Sequence, residues 1–178
     1  MTSIWTDART GKLTEASLLS HLEEDPELLD SEDQSGATPL GHAIKASKPS
    51  IVQLLLSNSA DPDKSSGGIT PTYLAVIAAS NSERLVQLLL EQDPRTLDTG
   101  VPSKNNETPL MAAVSVARNA SLVRQLVRAG ALLNKRNRDG RTAWDLVDLV
   151  PGDKREEIID ILLGAAKSNG ADKPRRYA

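Results

Sequence analysis

The stretch from Asp33 to Asp63, DQSGATPLGHAIKASKPSIVQLLLSNSADPD, decides the fold. Gly36 can take the positive φ of a tight turn because glycine lacks a Cβ atom. Thr38 can offer its hydroxyl to the free N–H groups of a helix start, and Pro39 suits the first helical position, where a missing N–H costs nothing. The stretch therefore predicts a turn, a short helix, a second helix and a closing turn. Such a unit leaves apolar surface uncovered and needs neighbours.

The same pattern occurs four times along the chain. A threonine begins the first helix of each copy, at positions 38, 70, 108 and 142, and the steps between them are 32, 38 and 34 residues. Each threonine is followed by an apolar run, at 51–56, 85–90, 122–127 and 158–163. A period of about 33 residues with Thr-Pro-Leu at the helix start is the pattern of ankyrin repeats. The sequence resembles the ankyrin-repeat family over nearly its whole length.

The resemblance implies an all-α ankyrin-repeat solenoid, in which helix-turn-helix units are joined by β-turn or hairpin fingers. We expect one domain over residues 1–166 and a flexible tail over 167–178. Within the domain we expect an N-terminal capping unit at 1–32, repeats at 33–64, 65–102 and 103–136, and a last repeat at 137–166 that serves as the C-terminal cap.

The capping unit lacks Thr-Pro-Leu, and end repeats need a polar outer face. Helical spacing of Leu13, Ala16, Leu19 and Leu22 predicts an amphipathic second helix in this unit. We interpret Trp5 as a plug over the first interface between units, with an exposed contact as the alternative.

Composition limits the kind of protein. The chain has 178 residues, enough for one ordinary domain, and a formal net charge of −3, which argues against a general nucleic-acid binder. It has no cysteine, which excludes disulfides, thiolate metal sites and a cysteine nucleophile. No secretory signal and no run of about 18 apolar residues is visible. We expect an intracellular protein, cytoplasmic or nuclear, that binds no membrane and is monomeric by itself.

No group of residues in the sequence has the spacing of a catalytic or ligand-binding motif. Only His21 and His42 could act as histidine bases or metal ligands, and they lack zinc-site spacing. The carboxylates near Asp61 lack the calcium-loop pattern, and neither a phosphate loop nor a Gly-x-Ser-x-Gly elbow occurs. The sequence therefore predicts no catalytic residue, no cofactor and no metal, and a protein that is not an enzyme.

Several positions depart from the family pattern. His42 stands one place after the family's histidine, and we interpret it as a partly buried, hydrogen-bonded side chain, with a pH switch or ligand contact as the alternative. Tyr73 occupies the family's histidine position in the second repeat. Asn106 replaces a turn glycine and tolerates left-handed geometry. Trp144 replaces leucine and is expected in the core, with its indole N–H bonded to a carbonyl.

Three further features of the sequence concern loops and one helix. The segment 80–82 holds about two extra residues and is expected to cap the helix that follows. The finger from Asp93 to Glu107 is longer than its counterparts, either as part of the binding side or as a tolerated insertion. Gln125 replaces a core-facing leucine, so that it either finds a backbone partner between helices or marks a slightly rotated helix.

In ankyrin proteins the residues around each turn and on the exposed side of the first helix usually meet the partner. The resemblance implies these positions here: Gln34, Ser35, Ala37, Lys45, Ser66, Ile69, Ile77, Lys104, Asn105, Glu107, Ser115, Arg138, Asp139, Arg141 and Asp148. Ile69 and Ile77 are either anchors at the centre of an interface or ordinary surface isoleucines. Arg138 and Arg141 flank Asp139, and they suit either an acidic partner segment or a surface ion pair within the chain.

The function that follows is a protein–protein interaction module, an adaptor, assembly chaperone or inhibitor, which binds another protein or an extended peptide through a concave face and the fingers. The alternative is an enzyme or small-molecule binder on the same scaffold, with a pocket near the 93–107 loop and His42 or Tyr73 in it. A third hypothesis is that the chain is a piece of a larger multidomain protein.

Overall fold

Ten α-helices make up about half of the residues that the structure describes. The computed structural model describes residues 3–92 and 95–169, with side chains as far as Lys167. The α-helices of this part are α1 Ile4–Thr10, α2 Glu15–Glu24, α3 Pro39–Lys45, α4 Pro49–Ser57, α5 Pro71–Val76, α6 Ser82–Leu90, α7 Pro109–Ser115, α8 Ala120–Arg128, α9 Ala143–Leu146 and α10 Asp153–Asn169. Short 3₁₀ helices lie at Pro26–Leu29, Pro102–Lys104 and Val147–Leu149. No strand forms in the described ranges, where pairing is limited to isolated bridges between Ser66 and Ile69 and between Val101 and Glu107. The all-α prediction is confirmed.

The chain divides into two compact units, residues 1–96 and 97–178. In the first unit α1 packs on α3 and α3 on α5, so that the first helices of successive repeats stack, while α4 packs on α6. In the second unit α7 packs on α9 and α8 on α10. The division falls inside the predicted repeat 65–102. The single domain over 1–166 and its repeat boundaries stay predictions, and most of the predicted tail lies outside the described residues.

Three of the helices begin at the prolines where the Thr-Pro pattern predicted a helix start. Pro39, Pro71 and Pro109 are each the first residue of a helix, where the absent proline N–H is not missed. The Thr38 hydroxyl accepts a hydrogen bond from the Gly41 N–H at 3.0 Å, and the Thr108 hydroxyl accepts one from the Met111 N–H at 3.3 Å. Each bond satisfies a donor that the helix itself leaves open.

Other predicted helix caps are wrong in detail. The Thr70 hydroxyl is buried without a hydrogen-bond partner among the described residues and does not cap α5. At Thr142, by contrast, a capping box with Asp145 is present, and the N–H and the hydroxyl of Thr142 donate to the Asp145 carboxylate, each at 2.8 Å. Asn81 directly precedes α6, but its amide donates to the Ser47 carbonyl at 3.3 Å and caps nothing.

The core consists of apolar residues from the stacked helices, with few large rings. Trp144 is 2% exposed, which confirms its predicted place in the core. Trp5 is half-buried and its indole N–H donates to the Ser31 carbonyl at 3.1 Å, so that it is tied to the 3₁₀ turn after α2. Gln125 is half-buried, and its Oε1 has no hydrogen-bond partner among the described residues, so this oxygen does not support the first of the two alternatives, a backbone partner between helices.

The apolar stripe predicted for α2 is wrong. Leu19 is 48% exposed and Ala16 is exposed as well, whereas Leu18 is completely buried. Leu13 is buried, but it precedes the helix and so does not belong to its stripe. The helix begins at Glu15, and Leu18 is its one fully buried side chain.

Aspartates at the ends of repeats hold the loop of the following repeat. Asp30 accepts a hydrogen bond from the Asp61 N–H at 2.9 Å, and Asp98 accepts one from the Leu132 N–H at 2.8 Å. Asp63 accepts from the N–H and the hydroxyl of Thr96 at 2.9 and 2.8 Å. These three carboxylates recur at steps of 33 and 35 residues in the sequence. Each carboxylate accepts hydrogen bonds from backbone or side-chain donors that lie about one repeat further along the chain.

The pKa of Asp63 reflects this arrangement. Burial alone would raise the pKa, but hydrogen bonds from Thr96 and from the N–H and side chain of Arg95 outweigh burial and lower it. The folded state therefore favours the ionised carboxylate that the loop needs.

Gly41 allows the second finger to lie directly against α3. A Cβ atom at this position would be 2.0 Å from Ser66 Oγ and 2.3 Å from Ser66 Cβ. Ser66 is fully buried, and its hydroxyl accepts a hydrogen bond from the Thr38 N–H at 3.3 Å. The family's histidine position is thus a glycine here, because a serine of the next repeat fills the space.

We predict that Gly41→Ala lowers the free energy of unfolding by about 2 kcal/mol, the usual effect of overpacking a rigid site. Chemical denaturation with circular dichroism measures the change. The double variant Gly41→Ala/Ser66→Gly removes the colliding atoms and should recover more than half of the loss. No recovery in the double variant would contradict the proposed collision.

A second stability prediction concerns Gly164, which lies inside α10, where a Cβ would meet no atom within 4 Å other than those of the adjoining residues and of its own helix backbone. Gly164→Ala should raise the free energy of unfolding by roughly 0.5–1 kcal/mol, because alanine restricts the unfolded chain and favours the helix. Gly140→Ala serves as the control and should destabilise, since its φ of 73° strains any residue with a Cβ. A destabilised Gly164→Ala would contradict the assignment of open space.

Candidate protein-binding surface

The predicted contact residues in residues 1–96 fall into three groups. Gln34, Ser35 and Lys45 are exposed, and Ile69 and Ile77 are half-buried. Two predicted positions are not accessible, because Ala37 is 1% exposed and Ser66 is completely buried. Ser66 packs against α3 at Gly41, and Ala37 is drawn in by hydrogen bonds at the base of its turn. Their side chains are therefore removed from the candidate surface.

The turn that carries Gln34 and Ser35 is built around the Asp33 carboxylate. Asp33 Oδ1 accepts from the Ser35 N–H at 2.8 Å, the Ser35 hydroxyl at 2.6 Å and the Ala37 N–H at 3.1 Å. The Asp33 N–H also donates to the Ala37 carbonyl at 3.0 Å, which closes the turn. The Asp33 side chain thus fixes the finger, and Gln34 at the tip of the finger is exposed to solvent.

His42 joins this turn to α3. Its Nε2 lies 2.7 Å from Asp33 Oδ2, and the side chain is 15% exposed. The prediction of a partly buried, hydrogen-bonded histidine is confirmed. Hydrogen bonds from Ser35, His42 and Ala37 hold the pKa of Asp33 well below its usual range.

A shallow cavity of about 240 Å³ lies beside this pair. It is lined by Ser3, Trp5, Thr6, Arg9, Asp33 and His42. The cavity is therefore built from the N-terminal unit and the first finger, and not from the 93–107 loop that the small-molecule alternative named. Tyr73, the other residue of that alternative, is 2% exposed.

In the described part of residues 97–178, Lys104, Arg138, Asp139, Arg141 and Asp148 are exposed, and Asn105, Glu107 and Ser115 are half-buried. Four of these residues are engaged within the chain by their side chains, and Ser115 and Asp148 are two of them. The Ser115 hydroxyl donates to the Met111 carbonyl at 2.9 Å, and Asp148 forms an ion pair with Arg155 at 2.6 Å.

Hydrogen bonds fix the two fingers of this unit to each other. The Arg138 N–H donates to the Asn105 carbonyl at 3.0 Å, and the Asn105 amide donates to Asp139 Oδ2 at 2.9 Å. Asp139 is therefore bonded to asparagine. A surface ion pair within the chain would require a bond to one of the flanking arginines instead. Asn105 and Asn106 take the left-handed conformation, with φ of 56° and 59°, which confirms the prediction for Asn106.

Asn137 holds the last finger in the way that Asp33 holds the first. Its Oδ1 accepts from the N–H groups of Asp139 and Arg141 at 3.0 and 2.9 Å. Its own N–H donates to the Arg141 carbonyl at 2.9 Å, and Gly140 completes the turn with a φ of 73°. The backbone that carries the arginines is thus fixed by hydrogen bonds.

Sequence reasoning missed two exposed cations of this finger, Lys135 and Arg136. The signal was present, since the segment 134–141 reads NKRNRDGR, with four basic residues and one acidic residue. The family pattern predicts contacts at the turn positions, and Lys135 and Arg136 precede the turn.

Negative charge within these fingers is confined to a few groups. Burial raises the pKa of Glu107, and the negative charge of Asp139 raises it further. The two carboxylates are thus close enough to interact, and the Glu107 side chain is half-buried. The exposed tip beyond them is mainly cationic.

Charge is distributed unevenly between the two units. Residues 1–96 contain 14 acidic and 7 basic side chains, whereas residues 97–178 contain 10 acidic and 14 basic ones. The net charges are therefore −7 and +4, and their sum is the −3 of the whole chain. Asymmetry of this size suggests different partners, or different parts of one partner, for the two units.

Within the described ranges, no group of three His, Cys, Asp or Glu side chains has an arrangement that could hold a metal ion. None of the helices in these ranges combines the length and the apolar character needed to cross a bilayer.

Comparison with known proteins agrees with the fold. A family model described as ankyrin repeats (3 copies) matches residues 8–98 and 74–176. The chain belongs to the ankyrin-repeat family, whose members are generally protein–protein interaction modules and typically not enzymes.

The chain is also similar to alpha-latrocrustotoxin-Lt1a of Latrodectus tredecimguttatus, with 31% identity over 114 residues. That match covers 64% of this chain and 8% of the toxin. The chain thus spans less than a tenth of that relative's length.

The Asp33 turn yields a pH-dependent prediction. Asp33→Ala should lower the melting temperature clearly at pH 6, because two backbone N–H groups lose their acceptor. Asp33→Asn should lower it less, since Asn137 holds an equivalent turn with an amide oxygen. A carboxylate with a lowered pKa stabilises the fold above its unfolded pKa of about 3.9 and loses that effect as the pH falls. The advantage of wild type over Asp33→Asn should therefore shrink below about pH 4.

Differential scanning calorimetry between pH 3 and pH 6 measures these differences. Gln34→Ala is the control, because its side chain is exposed at the same turn. A constant gap between wild type and Asp33→Asn over this range would contradict the role of the ionised carboxylate.

Proposed function

We propose that this chain is a protein–protein interaction module, an adaptor, assembly chaperone or inhibitor, that meets its partner through its finger tips and the exposed ends of its first helices. The partner is another protein or an extended peptide. The proposed contact residues are those implied by the family resemblance, without Ala37 and Ser66 and with Lys135 and Arg136 added. The proposal includes an intracellular location and a monomeric state in the absence of the partner.

The last finger carries this proposal. Its backbone is fixed by Asn137 and by the bonds to Asn105, while Arg138 and Arg141 remain exposed and make no hydrogen bond or ion pair through their side chains to another described residue. A fixed backbone lowers the ordering cost of binding, which is the main benefit of preorganisation. Side chains that the fold does not use are available for contact.

The cavity beside Trp5 and His42 is small for a drug-sized ligand, whereas two open depressions in the second unit, of about 330 and 390 Å³, reach only the lower end of the usual range. The cavity beside Trp5 and His42 measures about 240 Å³, whereas drug-sized ligands usually occupy about 300–1,000 Å³. Asp33 and His42 at its wall are already bonded to each other. A ligand in this cavity would have to compete with that bond.

The test uses the chain as bait on a resin, with bound proteins identified by mass spectrometry. Wild type should enrich at least one protein, and Ile77→Ala or the pair Arg138→Ser/Arg141→Ser should reduce its recovery about fivefold or more, as expected for contact residues near an interface. The matched control is Arg128→Ser/Lys167→Ser, which removes the same charge from exposed positions on α8 and α10. Equal recovery by the finger variants and wild type would contradict the assigned surface.

A further inference from the structure

The two fingers of the second unit concentrate positive charge that the fold leaves uncompensated. The cationic fingers are defined here by Lys104, Lys135, Arg136, Arg138 and Arg141, all of which are exposed. Among the described residues, four of these side chains make no hydrogen bond or ion pair, and Arg136 donates to the Gly140 carbonyl at 2.5 Å. That carbonyl is neutral, so the charge of Arg136 is not cancelled.

Other arginines of the same unit are used within the chain. Arg124 forms an ion pair with Glu157 at 3.3 Å, and Arg155 forms one with Asp148 at 2.6 Å. Arg118 donates to the Ser115 carbonyl at 3.3 Å. In its described part, this unit thus pairs three of its arginines with neighbours and leaves open the cations of the fingers, as it does Arg128 and Lys167 on α8 and α10.

The backbone keeps these cations in one region. The bond from the Arg138 N–H to the Asn105 carbonyl is 3.0 Å long, so Lys104 and Arg138 are carried by chain segments in direct contact. Asn137 fixes the path from Asp139 to Arg141. Asp139, the one acidic residue of the segment 134–141, is bonded to the Asn105 amide at 2.9 Å and keeps its negative charge, which the four cations of the same segment outnumber. An incoming anion therefore meets a preorganised positive surface.

We infer that the cationic fingers bind an acidic, extended segment of a partner protein, rich in Asp and Glu. Charge complementarity of this kind speeds association and selects the partner. Arg138 and Arg141 can each form a two-pronged hydrogen bond with a carboxylate, which the lysines cannot do. This inference rests on the proposed protein-binding function and adds the chemical class of the partner segment.

A peptide fits this surface better than a nucleic acid does. Duplex DNA carries one negative charge per about 1.7 Å, and its non-specific binders are usually strongly basic. This chain has a net charge of −3, and Glu107 and Asp139 lie within the fingers themselves. Evenly spaced phosphates would meet those carboxylates, whereas an acidic peptide can place neutral residues opposite them.

The test measures fluorescence anisotropy of a labelled peptide of about twelve residues in which Glu alternates with Ser, because alternate side chains of an extended chain share one side. The full chain should bind it, and the same peptide with Gln in place of Glu should bind at least tenfold more weakly. Arg138→Ser/Arg141→Ser should weaken binding of the Glu peptide about tenfold, while Arg128→Ser/Lys167→Ser should change it less than about twofold. Raising NaCl from about 50 to about 500 mM should weaken wild-type binding at least fivefold.

Other results would overturn the inference. These are equal binding of the Glu and Gln peptides, equal losses in the finger variant and the control variant, or tighter binding of single-stranded DNA or of phosphatidylserine vesicles than of the Glu peptide. Circular dichroism should show both double variants folded, since all four side chains are exposed.

The peptide test and the resin test fail independently. If the finger variant loses a captured protein but the Glu peptide does not bind, the protein-binding function stands and the acidic class is wrong. If the peptide binds at the fingers but no captured protein depends on them, the surface chemistry stands and the proposed function is wrong.

Discussion

Each described repeat depends on its neighbour for bonds that it cannot make alone, and the aspartates at the repeat ends show this most clearly. Asp30, Asp63 and Asp98 each accept an N–H from a loop about one repeat further along the chain. The bonds from the Asp61 and Thr96 N–H groups are partly buried, and such donors are costly when unpaired, so these two loops need the carboxylates for their conformation. Burial of the apolar helix faces supplies most of the driving force for stacking of the repeats, but the carboxylates fix where each loop lies against the previous repeat.

The sequence predicted the features that have a local cause. Proline at a helix start, asparagine at a left-handed turn and a tryptophan at a leucine position each carry their own physical reason, and Pro39, Asn106 and Trp144 lie where expected. The prediction of His42 also succeeded, because a histidine near the base of a turn can reach a carboxylate such as Asp33.

Features that depend on a neighbouring repeat were not predictable in the same way. Nothing local to Ser66 indicates that it fills the space over Gly41. The buried side of α2 was missed for a similar reason, since Leu18 and Leu19 differ only in what lies against them. The carboxylates at repeat ends did leave a signal, because Asp30, Asp63 and Asp98 recur at nearly the repeat period.

The second repeat has weaker local support than its neighbours. Thr70 does not cap α5, and the hydroxyl of Thr72, at a position that is Leu40 in the first repeat and Leu110 in the third, is buried without a partner among the described residues. A buried, unpaired hydroxyl costs roughly 1–3 kcal/mol. The stability of a repeat array is approximately the sum of repeat and interface contributions, so a loss in one repeat lowers the stability of the array at that point. The division of the chain into two compact units falls in this repeat, just after Thr96, and the charge of the chain changes sign there as well.

Because the two units differ in net charge by 11 elementary charges, from −7 to +4, a partner with an acidic segment has an electrostatic reason to choose the second unit over the first.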